Sequence, residues 1–164
     1  MPFHVDGGCR RNGQPGAYGA AAATLDKRWG YCYTHRTRRL ASHQYTPTNQ
    51  RAEITAIIIA LEWALERYQE LDEYPRLGVK IYTDSKYAIG CMNEWVYKWV
   101  KNGWVNSNGF EVANRDLIEE ASDLDDKVKE LGWVEYIWVP REQNQDADSQ
   151  VNMELDQMEN EGDY

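Results

Sequence analysis

Four carboxylates fall where strands are expected to end or helices to begin. Asp6 follows the short apolar run Phe3–Val5 and precedes two glycines. Asp84 ends the run Val79–Thr83, just outside a strand's carboxyl end, where open α/β sheets place ligands. Glu53 sits one turn before Ile57 on the stripe Ile54, Ile57, Ile58, Leu61, Ala64 and Leu65, whose helical spacing turns it toward a core. Asp148 precedes Val151 and Leu155 by three and seven positions, which puts it on the buried side of its helix, whereas Asp146 points to the polar side. Carboxylates turned toward a core are costly unless something neutralises them. A divalent cation does so, and oxygen donors with no Cys or His nearby select Mg²⁺ or Mn²⁺ over zinc. Singly, each residue has a plainer role: Asp6 in a turn, Glu53 on a helix dipole, Asp84-Ser85 as a cap, Asp148 in an ion pair with an arginine. Four together point to a metal site.

The elements that must position them form a mixed α/β pattern. A strand is expected at Phe3–Asp6, a Gly-rich turn over Gly7–Gly16, and strands at Ala17–Leu25 and Trp29–Thr34, turned by Asp26 and Lys27. A helix runs from the capping residues of Thr46–Asn49 to about Tyr68, and Pro75 and Gly78 precede a strand at Val79–Thr83. Short helices follow around Lys86–Met92 and Asn93–Lys101, and a longer one over Asn114–Glu130 closed by Gly132. Val134–Val139 is the last strand and Asn144 to about Met158 the last helix. The order β-β-β-α-β-α-α-α-β-α describes one domain over residues 1–152, with residues 153–164 an acidic tail expected to fray.

The 164 residues suit a single core, and no apolar run reaches the roughly 18 to 20 residues of a membrane span. Three scattered cysteines, Cys9, Cys32 and Cys91, suggest free thiols in a reducing, intracellular compartment, either cytoplasm or nucleus. A net charge of −9 argues against a nucleic-acid partner, but residues 152–164 hold five carboxylates and no Lys or Arg, so the remainder carries only −4. Seven Trp and eleven Tyr against two Phe supply amphipathic rings of the kind on which bases and sugars stack.

Asp6-Gly7-Gly8-Cys9 with Asn12-Gly13, Thr48-Asn49-Gln50-Arg51-Ala52-Glu53, Tyr82-Thr83-Asp84-Ser85-Lys86-Tyr87 and Asn144-Gln145-Asp146-Ala147-Asp148 resemble ribonuclease HI in order and spacing, from about Phe3 to Val151. The stretch from Asn93 to Trp104 resembles the basic protrusion of eukaryotic and some bacterial members. The resemblance implies an α/β, ribonuclease H-like fold: a five-stranded mixed sheet, first three strands antiparallel, flanked by helices. It implies hydrolysis of the RNA strand of RNA–DNA hybrids, with Asp6, Glu53, Asp84 and Asp148 holding two Mg²⁺ ions, Mn²⁺ being possible in their place. Glu53 would also accept a hydrogen bond from a ribose 2′-hydroxyl. Cys9, Asn12 and Lys86 match positions that meet the RNA strand, and Asn49 and Gln50 belong to the same substrate-binding block. Tyr87 and Trp95 match a platform beneath the deoxyriboses, and Thr48 and Asn114 a pocket for a DNA phosphate. Trp99 and Trp104 are expected in the core. A monomer is expected, with the hybrid as partner and no membrane.

Two departures stand out. The family's loop after the last strand usually carries a histidine in a Gly-His-x-Gly stretch, but Val139-Pro140-Arg141-Glu142-Gln143-Asn144 leads almost directly into the last helix, and His4, His35 and His43 all lie near the start. That spelling resembles His-less bacterial and archaeal branches, and Arg141 is the candidate substitute, ahead of Glu142. Losing such a proton carrier lowers rate without abolishing metal chemistry. The protrusion is also thinly charged: Lys98 and Lys101 face Glu94 and Glu111, which implies few phosphate contacts and a shallow salt dependence. The remaining cations Arg10, Arg11, Arg36, Arg38, Arg39 and Arg51 are expected near the substrate edge.

Two other functions compete with this one. A catalytically weak relative that binds hybrids or a protein partner would explain the missing histidine, but the full carboxylate set opposes it. A transposase or junction-resolvase core shares the superfold but not the Thr-Asn-Gln-Arg-Ala-Glu block or the Trp-rich protrusion.

Overall fold

Alternation along the first strand sets the architecture: Phe3 and Val5 turn to one face and are buried, while His4 and Asp6 turn to the other. The computed structural model describes residues 1–30, 34–72 and 75–162. Its strands are β1 (Pro2–Arg10), β2 (Tyr18–Leu25), β3 (Thr34–Arg39), β4 (Leu77–Thr83) and β5 (Gly132–Trp138), in the sheet order β3–β2–β1–β4–β5. β1, β2 and β3 pair antiparallel, and β4 and β5 run parallel to β1, so the mixed five-stranded sheet expected from the resemblance is present.

The helices are α1 (Lys27–Gly30), α2 (Asn49–Leu71), α3 (Lys86–Gly90), α4 (Val96–Asn102), α5 (Arg115–Leu131) and α6 (Gln145–Glu161). A π-turn over Cys91–Trp95 joins α3 to α4, and a short 3-10 turn over Arg141–Gln143 precedes α6. The Ile54, Ile57, Ile58, Leu61 and Ala64 stripe of α2 is buried with Phe3, Val5, Leu25, Val79 and Ile81 in the main core. A smaller cluster on the opposite face joins Tyr18, Ala20 and Ala22 to Val151, Leu155 and Met158 of α6. The alanines of β2 are therefore fully buried between helices on both faces, where small side chains allow close approach. As expected, Trp104 is buried; Trp99 is partly buried against the core.

Three expectations are corrected. β1 continues to Arg10 rather than ending at Asp6, because Gly7–Arg10 go on pairing with Tyr18–Ala21. The third strand is Thr34–Arg39, not Trp29–Thr34: α1 occupies the first part of that stretch, residues 31–33 lie outside the described set, and the polar strand is held by full pairing with β2. The acidic tail does not fray over its described length. α6 continues through Glu161 and is capped by Gly162, because Leu155 and Met158 extend its buried stripe. Residues 163 and 164 lie outside the description, as does Cys32, while Cys9 and Cys91 are free thiols. No described helix is long and apolar enough to cross a membrane.

Candidate active site

The parallel register between β1 and β4 aligns His4 with Tyr82, so two residues further on Asp6 stands level with Asp84. Glu53 comes in from the first turns of α2, which crosses β1 at Gly7. A Cβ on Gly7 would lie 2.2 Å from the carbonyl carbon of Ala52, so only glycine permits this approach. Asp148 lies in the first turn of α6. That helix starts against β1 because the side-chain amide of Asn144, itself 1% exposed, donates to the Val5 carbonyl at 2.8 Å. Two strands and two helices thus bring the four predicted carboxylates to one end of the sheet.

Their electrostatics record the crowding. Asp6, 8% exposed, is pushed up to about 8, first by burial and then by the charges of Asp84 and Asp148, the latter within hydrogen-bonding reach. Burial also raises Glu53, with Asp84 adding to the rise; the Ser85 hydroxyl, donating to Glu53 Oε2 at 2.7 Å, and Arg141 oppose it. Asp84 is raised by burial and by Asp148, against the pull of Arg141. The Arg141 side chain is 84% exposed, and its Nε lies 3.9 Å from Asp84 Oδ2. Among the described residues no three His, Cys, Asp or Glu side chains are grouped closely enough to hold a metal ion as they stand. An all-oxygen donor set, with the exposed Arg141 as a neighbouring cation, nonetheless has the chemistry that suits hard divalent cations.

The substrate candidates divide into three groups. The Cys9 N–H donates to Asn49 Oδ1 at 2.9 Å, and the Asn49 N–H donates to Asn12 Oδ1 at 2.8 Å, which ties the β1–β2 turn to the start of α2. Asn114 Nδ2 donates to the Tyr87 hydroxyl at 2.9 Å and to Gln50 Oε1 at 3.4 Å, and the Tyr87 and Trp95 rings lie 6.2 Å apart. Gln50, Tyr87 and Trp95, with Lys98 and Trp99, line an open groove of about 440 Å³. The Thr48 hydroxyl caps α2, accepting from the Arg51 N–H at 3.1 Å. The Lys86 ammonium lies over the Trp138 ring, 5.3 Å from its centroid.

The arginines expected at the substrate edge are mostly spoken for elsewhere. Arg36 and Arg38 on β3 pair with Glu66 and Glu62 of α2, and Arg39 with Glu154 and Glu161 of α6. Arg10 pairs with Asp156 and Glu159, and Arg51 with Asp116. β3 is the sheet edge two strands from β1, so its arginines balance helix carboxylates rather than line the site. Ser85, Asn144 and Trp138 were not singled out from sequence as site residues. Ser85 alone had a local signal, as the cap of α3 that it is, with its Oγ accepting from the Ala88 N–H at 3.0 Å.

Residues 1–158 match the family model for RNase H. The chain is 36% identical over 162 residues to a ribonuclease H of Dechloromonas aromatica, covering 96% of this chain and 95% of that one. It is 33% identical to a ribonuclease H of Methylobacillus flagellatus over 96% of this chain and 93% of that one. Among solved structures, the RNase H1 of the halophilic archaeon Halobacterium salinarum shares the fold with a TM-score of 0.59 at 21% identity, covering 95% of this chain and 97% of that one. LC11-RNase H1, solved in complex with an RNA/DNA hybrid, shares it with a TM-score of 0.56 at 22% identity, over 93% of this chain and 94% of that one. A model match over nearly the whole chain, with full-length relatives above 30% identity, decides the matter: the chain belongs to the ribonuclease H family.

Proposed function

We propose that this ribonuclease H cleaves the RNA strand of RNA–DNA hybrids with two divalent cations, Mg²⁺ or Mn²⁺, held by Asp6, Glu53, Asp84 and Asp148. The observation that carries this reading is the convergence of four carboxylates from four elements, with Asp6 pushed up to about 8 by burial and then by Asp84 and Asp148. Bound there, the cations supply an activated water and neutralise charge at the leaving 3′ oxygen. The protein's part is positioning. Ser85 orients Glu53 through a 2.7 Å hydrogen bond, leaving the carboxylate's remaining acceptor capacity for a ribose 2′-hydroxyl. Asn144 fixes Asp148 relative to Asp6.

Arg141 takes the place of the family's loop histidine: 84% exposed beside Asp84, it neutralises the departing phosphate rather than carrying a proton. Cys9, Asn12, Asn49 and Lys86 meet the RNA strand; Gln50, Tyr87 and Trp95 meet the DNA strand, with Thr48 and Asn114 at one of its phosphates. With most arginines already paired, hybrid affinity is modest. The chain acts as a monomer, and its scattered cysteines support a reducing compartment.

The test is cleavage of a labelled RNA–DNA hybrid in Mg²⁺ and in Mn²⁺, beside single-stranded and duplex RNA and a branched DNA junction. Hybrid-only cleavage that disappears in Asp84→Asn is expected. Hybrid binding without cleavage in either metal would leave a binding module, and junction cleavage a resolvase.

A further inference from the structure

We infer that Trp138 is a positioning residue for the reaction: its ring holds the Lys86 ammonium beside the carboxylate cluster, aimed at a backbone phosphate of the strand being cut. The inference rests on the hybrid-cleaving reading above. Trp138 ends the edge strand β5 and is 46% exposed. It is not loose. Its Nε1–H donates to the carbonyl of Asp84 at 3.2 Å, so the ring is anchored to the backbone of a predicted metal ligand. The Lys86 Nζ lies 5.3 Å from the ring centroid, within the range of an attractive cation–π contact.

Lys86 is exposed and opens α3, directly after Asp84-Ser85. Among the described residues it makes no salt bridge, although acidic side chains crowd the site; Arg10, Arg36, Arg38, Arg39 and Arg51 all do. An indole face attracts a cation without neutralising its charge. The ammonium therefore keeps its full attraction for an incoming phosphate and loses less side-chain entropy when it binds one. A carboxylate partner at that position would have offset the charge that attracts the phosphate.

The experiment measures kcat/KM for the labelled hybrid across a series of KCl concentrations, for the wild type, Lys86→Ala, Trp138→Leu, Trp138→Phe and the double variant Lys86→Ala/Trp138→Leu, with a thermal melt of each. Losing one phosphate contact should flatten the log–log salt slope by about 0.9 in Lys86→Ala and by a comparable amount in Trp138→Leu. The double variant should lose no more than Lys86→Ala alone, and the loss should fall mainly on KM. Trp138→Phe, which keeps a ring face but not the N–H, should retain most of the slope. An unchanged slope in Trp138→Leu, or losses that add in the double variant, would overturn the inference while leaving hybrid cleavage intact. A melt lowered in step with activity, with the slope unchanged, would likewise overturn it, since that is the mark of a structural role. A wild type that cuts no hybrid would overturn the parent reading and this one with it.

Discussion

Asn144 and Val5 lie 139 residues apart in sequence, and the side-chain amide of one donates to the main-chain carbonyl of the other at 2.8 Å. The bond joins the start of α6 to the strand residue immediately before Asp6. Asn144 also supplies the carbonyl that accepts from the Asp148 N–H at 3.1 Å. One buried side chain therefore sets how far apart Asp6 and Asp148 can be.

Replacing it should uncouple the two carboxylates. Asn144→Ala leaves the Val5 carbonyl without its partner, a cost of about 1 to 3 kcal/mol for a buried group. A fall in melting temperature is expected together with a drop in kcat larger than the change in KM. Raising the Mn²⁺ concentration should restore part of the rate, because the defect lies in ligand spacing. Equal activity at matched cation would contradict this role.

The carboxylate cluster should also make stability depend on divalent cations. At a concentration about 100 times its dissociation constant, a cation that binds only the folded state adds about 2.7 kcal/mol. For a chain of this size that is a rise of about 5 to 10 °C in melting temperature. Asp6→Asn should raise the melting temperature of the metal-free protein at neutral pH, since it removes a carboxyl whose raised pKa opposes folding above its unfolded value, and should largely abolish the shift with Mg²⁺. Differential scanning calorimetry with and without EDTA checks both.

Arg51 and Asp116 give a separate dependence on pH. Arg51 Nη1 and Nη2 bond the two Asp116 oxygens at 2.9 and 2.7 Å, and that pairing holds Asp116 below its ordinary range. A depressed folded-state pKa contributes stability that is complete above the unfolded value and is lost as pH falls through the folded one. Asp116→Asn should therefore be less stable than the wild type at pH 7, by about 1 kcal/mol after allowing for partial solvent screening. The gap should close as the pH drops below about 3.8, the unperturbed value. Urea titrations at pH 7, 4 and 3 measure it.

The acidic C-terminal stretch should behave as core-bearing helix. Leu155 is buried against Tyr18, Ala20 and Ala22. Leu155→Ala should cost about 2 to 4 kcal/mol in urea unfolding. Glu154→Gln, which weakens one surface contact to Arg39, should cost well under half of that. Comparable losses from both would mean that charge rather than packing holds α6 in place.

The sequence by itself determined which four carboxylates to single out, the helical stripe of α2, the order of the five strands and the longer helices, though not α1, and the family, because these follow from local periodicity and from short blocks of fixed spelling. It also contained the stripe Val151, Leu155 and Met158, although the carboxylates between them suggested a frayed end; they occupy the solvated face of the same helix, and charge there is compatible with order. Only the tertiary structure decided the rest. β3 has no apolar alternation of its own, because an edge strand is held by hydrogen bonds to β2 and needs little burial. The passage of α2 over Gly7 and the Asn144–Val5 bond depend on residues distant in the chain, whose contact no local pattern encodes. The fate of the arginines was decided in the same way. Arg10 and Arg39 meet α6, and Arg36 and Arg38 meet α2, because folding brings basic strand residues under acidic helix faces, leaving Arg141 and Lys86 as cations held only loosely beside the cluster.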